Sequence, residues 1–136
     1  MFDVCRKFRF RNFPVYRTIL SYNLHLRRMT GNFPEREVSG LASQLHCAAD
    51  SIALNLTEGS ERYSDKNFAR FISIALASLN ETVACLDLAM TLGYMSSETH
   101  LDTVGQAAEI GNQLSAFRET LVKGQKSKVK SAPQAP

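Results

Sequence analysis

The side chains best suited to chemistry are three histidines and three cysteines, and they do not cluster along the chain. His25, His46 and His100 fall in separate segments, and neither an HExxH nor a CxxC motif occurs. A zinc site needs closely spaced ligands, and a di-iron site in a helical bundle needs Glu-x-x-His motifs. The phosphate-binding patterns GxxxxGKS/T and GxGxxG are also absent from the sequence. We therefore expect no metal and no cofactor.

A second set of polar residues stands out for its spacing. Asn55 is expected to project toward the core of the second predicted helix, where a buried amide must be hydrogen-bonded. Glu58 and Arg62 are four residues apart and can pair along a helix, while Glu81 interrupts an apolar stripe. The expected role of Asn55, Glu58, Arg62 and Glu81 is structural, either tying helices together or fixing subunit register. A catalytic carboxylate is the alternative, but no nucleophile or second acid accompanies it, so we expect no enzyme.

The charges divide the chain into three parts. Residues 1–36 contain eight Lys or Arg and two acids, residues 37–122 contain four and eleven, and residues 123–136 contain four lysines and no acid. One interpretation is that the basic arm serves solubility and pairs with the acidic body. The other is that the arm and tail bind a polyanion, with arginines on phosphates and phenylalanines stacked on bases. The candidate nucleic-acid-binding residues are Arg6, Lys7, Arg9, Arg11, Arg17, Arg27 and Arg28.

The apolar pattern in the body of the chain indicates four helices, which predicts an all-α fold. Apolar residues recur every three or four positions over about residues 13–30, 35–60, 65–93 and 97–122, and no alternating strand pattern appears. Short connections between such helices favour an up-down-up-down bundle. We expect a basic arm at 1–12, the bundle at 13–122, and a disordered tail at 123–136. No secretory signal or uninterrupted membrane-spanning run is visible, which predicts a cytoplasmic protein.

The third predicted helix is apolar on two sides. Ile74, Ala77, Cys85, Leu88 and Leu92 lie roughly opposite its core stripe. A helix that is apolar on both sides usually needs a cover on both sides, which favours self-association through Ile74, Leu88 and Leu92. The alternative is that the small residues tolerate exposure and only these three large ones are unusual.

Several motifs at fixed spacing resemble one known family. Three motifs carry the resemblance. The first begins at Ser43 and reads SQL-x-x-A-x-x-SI-x-x-N-x-x-EG-x-x-R, the second begins at Phe68 and reads F-x-x-F-x-x-IA-x-x-S-x-x-E, and the third is LGY at Leu92. With the FPVY start at Phe13 and the FP-x-x-E turn at Phe33, the chain is similar over about residues 13–122 to the four-helix-bundle family first named for proteins encoded in intervening sequences of bacterial 23S ribosomal RNA genes. The arm before residue 13 and the basic tail do not belong to the family pattern.

The resemblance implies an antiparallel four-helix bundle that assembles into a ring-like homo-oligomer, with the pentamer as the known form, and it implies no enzyme activity. Two functions remain open at this stage. The chain could be an oligomeric scaffold that binds RNA or DNA through its basic arm, or a protein-interaction module that holds a protein partner without touching nucleic acid. Neither of these two functional hypotheses involves a membrane.

Overall fold

The computed structural model describes residues 7–131, with side chains to residue 124, and this part of the chain forms four α-helices and no strand. Two single-turn 3-10 helices, at Arg9–Asn12 and Glu35–Glu37, precede the first and second α-helices. The α-helices are α1 (Pro14–Thr30), α2 (Leu41–Ser60), α3 (Asp65–Thr91) and α4 (Ser97–Ser131). The predicted all-α fold with four helices is confirmed.

The helix ends use the capping residues that the sequence indicates. Pro14 opens α1, where its missing N–H would have no intrahelical partner. The Ser64 hydroxyl accepts the backbone N–H of Asn67 at the start of α3, at 3.1 Å. Gly93 follows α3 with φ of +80°, a left-handed conformation that favours glycine.

Two helix boundaries differ from the prediction. The second helix begins at Leu41 rather than near residue 35, because the chain first makes the 3-10 turn Glu35–Glu37 and Gly40 adopts a non-helical conformation. The last helix continues past residue 122 to Ser131, so residues 123–131 are helical where disorder was predicted. Lysines are good helix formers and are favoured near a helix C-terminus, which supports this extension. The predicted tail beyond 131 lies outside the described residues.

All four helices contribute to one hydrophobic core. Neighbouring helices in the chain pack together, α1 also packs on α4, and α1 and α3 face each other across the core. A hydrogen bond between side chains of that diagonal pair joins the Tyr22 hydroxyl and Thr82 Oγ1 at 2.9 Å. Among the described residues no buried side-chain polar atom lacks a hydrogen-bond partner. The core is therefore closed within a single chain.

The helix α3 is long and apolar enough to cross a membrane by length and composition alone. Its core stripe packs inside the protein, with Ile72, Ala75 and Leu86 fully buried. A core helix of a water-soluble protein passes the same test, so the finding is weak evidence for a membrane span.

Candidate nucleic-acid interface

The described part of the basic arm folds onto the helical body. Phe13 stacks on Phe68 of α3 with ring centroids 6.2 Å apart, and it meets Phe117 of α4 edge-on at 5.1 Å. Phe10 packs edge-on against Tyr16 of α1, also at 5.1 Å. These two phenylalanines thus pack as an extension of the core instead of standing free for nucleic-acid bases to stack on. Such aromatic pairs stabilise a fold beyond the area that they bury.

The guanidinium of Arg9 is used inside the protein. Its Nε and Nη2 atoms donate hydrogen bonds to the backbone carbonyl of Ser60, at 3.0 and 2.6 Å, at the end of α2. The central carbon of the guanidinium, Cζ, also lies 5.4 Å from the centre of the Phe68 ring. A helix C-terminus carries partial negative charge and unpaired carbonyls, so Arg9 caps α2. Arg9 therefore has a partner within the chain, and its role as a phosphate ligand stays a prediction.

A second predicted cation is also paired. Arg27 makes a two-pronged salt bridge with Asp50 of α2, with both N–O distances at 3.0 Å, and donates to Asn23 as well. Its charge is compensated, which weakens its case as a phosphate ligand. The other described cations of the predicted set are exposed, and none forms an ion pair with a described residue; they are Lys7, Arg11, Arg17 and Arg28. Arg6 lies outside the described residues.

The turn between α2 and α3 contains exposed residues that the sequence reasoning missed. Tyr63 is fully exposed, and Lys66 and Arg70 follow on the outer surface of α3. Because Arg9 reaches the end of α2, this turn lies beside the arm, whose Phe8 is 40% exposed. An aromatic residue flanked by basic residues in a turn was the available signal in the sequence. We call Lys7, Arg11, Tyr63, Lys66 and Arg70 the cationic end.

The C-terminal part of α4 reaches the same end of the protein. A methyl group on Gly124 would lie 3.5 Å from a carboxylate oxygen of Asp65, in the first turn of α3. Lys123 pairs with Glu119 along α4 at 3.0 Å. The helical backbone then carries the lysines at 126, 128 and 130 away from this point. The arm, the α2–α3 turn and α4 at Gly124 are therefore neighbours.

The cationic end also contains carboxylates, which limit its charge. Across residues 7–11 and 58–70 there are six Lys or Arg and three Asp or Glu. One of the acids, Glu58, pairs with Arg62, and the Arg62 guanidinium lies 4.7 Å from the centre of the Phe71 ring. A depression of about 320 Å³ beside them is lined by Arg62, Asn67, Arg70, Phe71 and Ile74. Cations on an aromatic wall suit a phosphate next to a base.

The predicted polar set is split by the structure. Asn55 is only partly buried, and Leu56 takes the core position instead, so its predicted orientation toward the core is wrong. Its amide nitrogen donates to the Ser51 carbonyl at 2.8 Å and to Ser51 Oγ at 2.9 Å, and Ser51 Oγ meets Ser78 Oγ of α3 at 2.8 Å. Glu81 is exposed on the outer side of α3. The structure thus connects Asn55 to α3 but leaves Glu81 outside that network.

The predicted oligomer residues lie on the protein surface. Ile74, Leu88 and Leu92 are 42%, 52% and 55% exposed. Cys85, which the sequence analysis placed on the same stripe, is buried instead, and burial raises the pKa of its thiol. Cys85 belongs to the core cluster together with its neighbour Leu86.

The three histidines make separate contacts. His25 Nε2 lies 2.9 Å from Thr103 Oγ1, His46 Nε2 lies 2.8 Å from Thr30 Oγ1, and His100 pairs with Asp87. Burial, reinforced by the positive charge of Arg27, holds the pKa of His46 below its usual value. Within the described residues no group of three potential metal ligands forms.

Another depression, of about 820 Å³, lies between α1 and α4 and is dominated by acids. Its lining includes His25, Glu98, Asp102 and Glu109. These carboxylates would repel a phosphate backbone, whereas the cationic end would attract it. The surface of the protein is thus divided by charge.

Similarity to known proteins is found in both the sequence and the fold. The sequence profile of the 23S rRNA-intervening sequence protein family matches residues 11–116. A crystal structure at 1.70 Å of a protein of unknown function from the S23 ribosomal protein family of Bacteroides thetaiotaomicron has a TM-score of 0.70 and 22% identity, and the match covers 77% of this chain and 95% of that one. At this identity the likeness shows the fold alone. No curated protein sequence matches the chain.

Proposed function

The chain belongs to the 23S rRNA-intervening sequence protein family, and from that premise we propose that it is a non-enzymatic, self-assembling scaffold that binds RNA or DNA through its cationic end. One observation carries the proposal. The arm and the α2–α3 turn, which are far apart in sequence, come together with their basic residues on one end of the protein, and α4 reaches the same end at Gly124. The proposal places this activity in the cytoplasm, away from membranes.

The chemistry of this end suits single-stranded nucleic acid without strong sequence preference. Tyr63 and Phe8 offer exposed aromatic faces on which bases can stack, and Lys7, Lys66 and Arg70 offer charges for phosphates. Contacts of charges with phosphates and of aromatic rings with stacked bases carry little sequence information. We therefore propose binding that depends steeply on salt and weakly on sequence.

We further propose the finer architecture that the family resemblance implies, an antiparallel up-down-up-down bundle assembled into a ring-like pentamer. Two contacts support the antiparallel pairing of α2 and α3: Ser51 meets Ser78, while Gly59, further along α2, packs near Phe71, which is earlier in α3. A ring would repeat the cationic end once per subunit. Repeated weak contacts raise the apparent affinity for a ligand that spans them.

The test measures fluorescence anisotropy of a labelled single-stranded RNA of about 16 nucleotides, the upper site size of a single-strand-binding fold. A DNA of the same sequence forms the second arm of the experiment. Wild type should bind at about 50 mM salt and lose most of its affinity by about 200 mM. Replacing Lys7, Arg11, Lys66 and Arg70 by Ser should abolish binding without changing oligomer size.

A matched pair of single substitutions supplies the control. Lys66→Ser removes one exposed charge at the cationic end, and Arg36→Ser removes one from the turn before α2. Lys66→Ser should lower the salt slope by about 1 and Arg36→Ser should leave it unchanged. If wild type binds neither probe at low salt, nucleic-acid binding is excluded and the protein-interaction module, favoured by the exposed apolar face of α3, replaces it.

A further inference from the structure

The outer side of α3 presents a continuous exposed stripe. Ile74, Ala77, Glu81, Ala84 and Leu88 follow one another at alternating steps of three and four residues, and all five are exposed. The core stripe of α3 lies on the other side of the helix, and no described residue covers this one. A stripe with small residues between two large apolar ones matches the seam on which another helix can pack.

The edge of this stripe is shared with α2. Asn55, Ser51 and Ser78 form a hydrogen-bonded chain between the two helices, at distances of 2.9 and 2.8 Å. These polar groups already have partners, so a helix lying over them need supply no new hydrogen bond to them. The charge in the middle of the stripe is acidic, because Glu81 is exposed and makes no ion pair with any described residue.

The helix α1 has an outer face of the opposite charge. Arg17, Leu20, Leu24 and Arg28 recur at steps of three and four residues, all are exposed, and the two leucines are 46% and 51% exposed. This face is free, since α1 uses its other sides for the protein itself. Contacts to α2 run through Asn23 and Arg27, and contacts to α4 run through Thr18 and His25.

We propose that the outer face of α1 in one copy packs on the outer face of α3 in a second copy of this chain. Leu20 and Leu24 would cover the apolar stripe, and a flanking arginine would reach Glu81. Leu20 and Leu24 are about 6 Å apart along α1, so they cover one end of the stripe, around Leu88. Arg28 then lies roughly 9 Å from the middle of the leucine pair, close to the level of Glu81, which is about 10 Å from Leu88 along α3. The two faces also match in character, each with two large apolar residues and complementary charge.

This pairing joins two different surfaces, so in a pair of copies one keeps an unused α3 face and the other an unused α1 face. Such a heterologous contact cannot stop at a dimer and must continue until it closes into a ring or grows as a filament. The inference takes from the proposed function only that the chain self-associates, and it identifies which surfaces meet. The contact adjoins the cationic end, because Ile74 also lines the depression beside Arg70.

The test uses two variants that each disable one face. Leu20→Asp/Leu24→Asp disables the α1 face, and Ile74→Asp/Leu88→Asp disables the α3 face. Each variant alone should be monomeric by light scattering at tens of micromolar, where wild type is a closed oligomer. An equimolar mixture should form one-to-one dimers and nothing larger, because each mixed pair retains one intact contact.

Controls separate folding from assembly. Leu101→Asp changes a leucine on α4 that is 74% exposed and outside both faces, and it should assemble like wild type. Each variant should keep the circular dichroism spectrum of wild type. If an aspartate pair unfolds the chain, the milder variants Arg17→Glu/Arg28→Glu and Glu81→Lys replace it. Because the reversed charges complement each other, their mixture should restore assembly beyond the dimer.

Three results would overturn the inference. A mixture that stays monomeric shows that the two faces do not meet each other, and full assembly by either single-face variant shows that its face is not needed. A monomeric wild type excludes self-association itself. RNA binding by the same wild-type sample is read independently, so failure of the interface is distinguishable from failure of nucleic-acid binding.

Discussion

The Arg9 guanidinium holds the Ser60 carbonyl through two hydrogen bonds, of 3.0 and 2.6 Å, and so fastens the basic arm to the end of α2. The same side chain lies over the rings of Phe13 and Phe68, 5.9 and 5.4 Å from their centres. One residue therefore connects the segment before α1 with α2 and α3. The arrangement gives Arg9 a structural role and leaves Lys7 and Arg11 as the exposed cations of the described arm.

Arg9→Ala should destabilise the protein. The change removes charge-assisted hydrogen bonds to a helix-end carbonyl, and because the site is partly open to solvent we expect a loss of about 1–2 kcal/mol. For a domain of this size the melting temperature should fall by roughly 3–5 °C per kcal/mol, measured by circular dichroism. Arg11→Ala is the control and should melt like wild type. Equal melting of both variants would show that the contact with Ser60 does not stabilise the fold.

Tyr63→Ala should weaken RNA binding and leave the fold intact. The ring is fully exposed in the turn between α2 and α3, so the monomer loses no packing when it is removed. If a base stacks on it, the binding free energy should drop by about 1–3 kcal/mol with the salt slope unchanged. Tyr63→Phe keeps the ring and should bind like wild type. Loss of affinity in Tyr63→Phe as well would assign the contact to the hydroxyl rather than to stacking.

The helices were predictable from the sequence because burial repeats at helical spacing. Ile19, Ile72 and Ile110 are all fully buried at positions that the apolar pattern indicates. The start of α2 was not predictable, because Glu35 and Glu37 fit a first helical turn by charge while the chain at Gly40 leaves helical geometry. Asn55 and Leu56 are adjacent, and periodicity with a tolerance of one residue could not decide which of them is buried.

The candidate site was less predictable than the fold. Composition marks the arm as basic, but which arginines remain available depends on contacts over long sequence separations. Arg9 bonds a residue 51 positions away, and Arg27 pairs with one 23 positions away. Tyr63 joins the site only because the arm lies against the end of α2. Such contacts follow from packing, which one sequence does not reveal.

Asn55→Ala and Glu81→Ala should have different effects. Asn55 donates two hydrogen bonds to Ser51 at the seam of α2 and α3, so its loss should cost roughly 1 kcal/mol and lower the melting temperature. Glu81 is exposed and has no described ion-pair partner, so its loss should leave the fold of the chain unchanged and weaken assembly. Melting curves under dilute monomeric conditions and light scattering at high concentration separate the two effects. A lowered monomer melting temperature in Glu81→Ala would contradict this assignment.

Acidification should destabilise the protein in part through His46. Burial and the nearby Arg27 lower the pKa of His46 in the folded state below its usual value near 6.5, although Asp50 partly offsets this. Between the two pKa values the unfolded chain binds more protons than the folded one, so stability is full above about pH 6.5 and falls as the pH drops through it. His46→Gln should lessen the drop in melting temperature between pH 7.5 and 5.5, values that bracket the ordinary histidine range at roughly one unit on either side. An unchanged drop would show that other groups carry the acid sensitivity.

Gly59→Ala and Gly105→Ala should have opposite signs, although both replace a helical glycine. A methyl group at Gly59 would lie 2.7 Å from Cβ of Phe71 and 2.9 Å from Cδ1 of Phe68, and the Phe71 atom is fixed to the backbone of α3. Relieving that overlap would push α3 away from α2, and overpacking of this kind costs about 1–3 kcal/mol. Gly105 on α4 has nothing within 4 Å of the new methyl, so Gly105→Ala should stabilise by up to about 1 kcal/mol through helix propensity. Chemical denaturation of the two variants beside wild type measures both changes, and a stabilised Gly59→Ala would show that α2 and α3 can separate without loss.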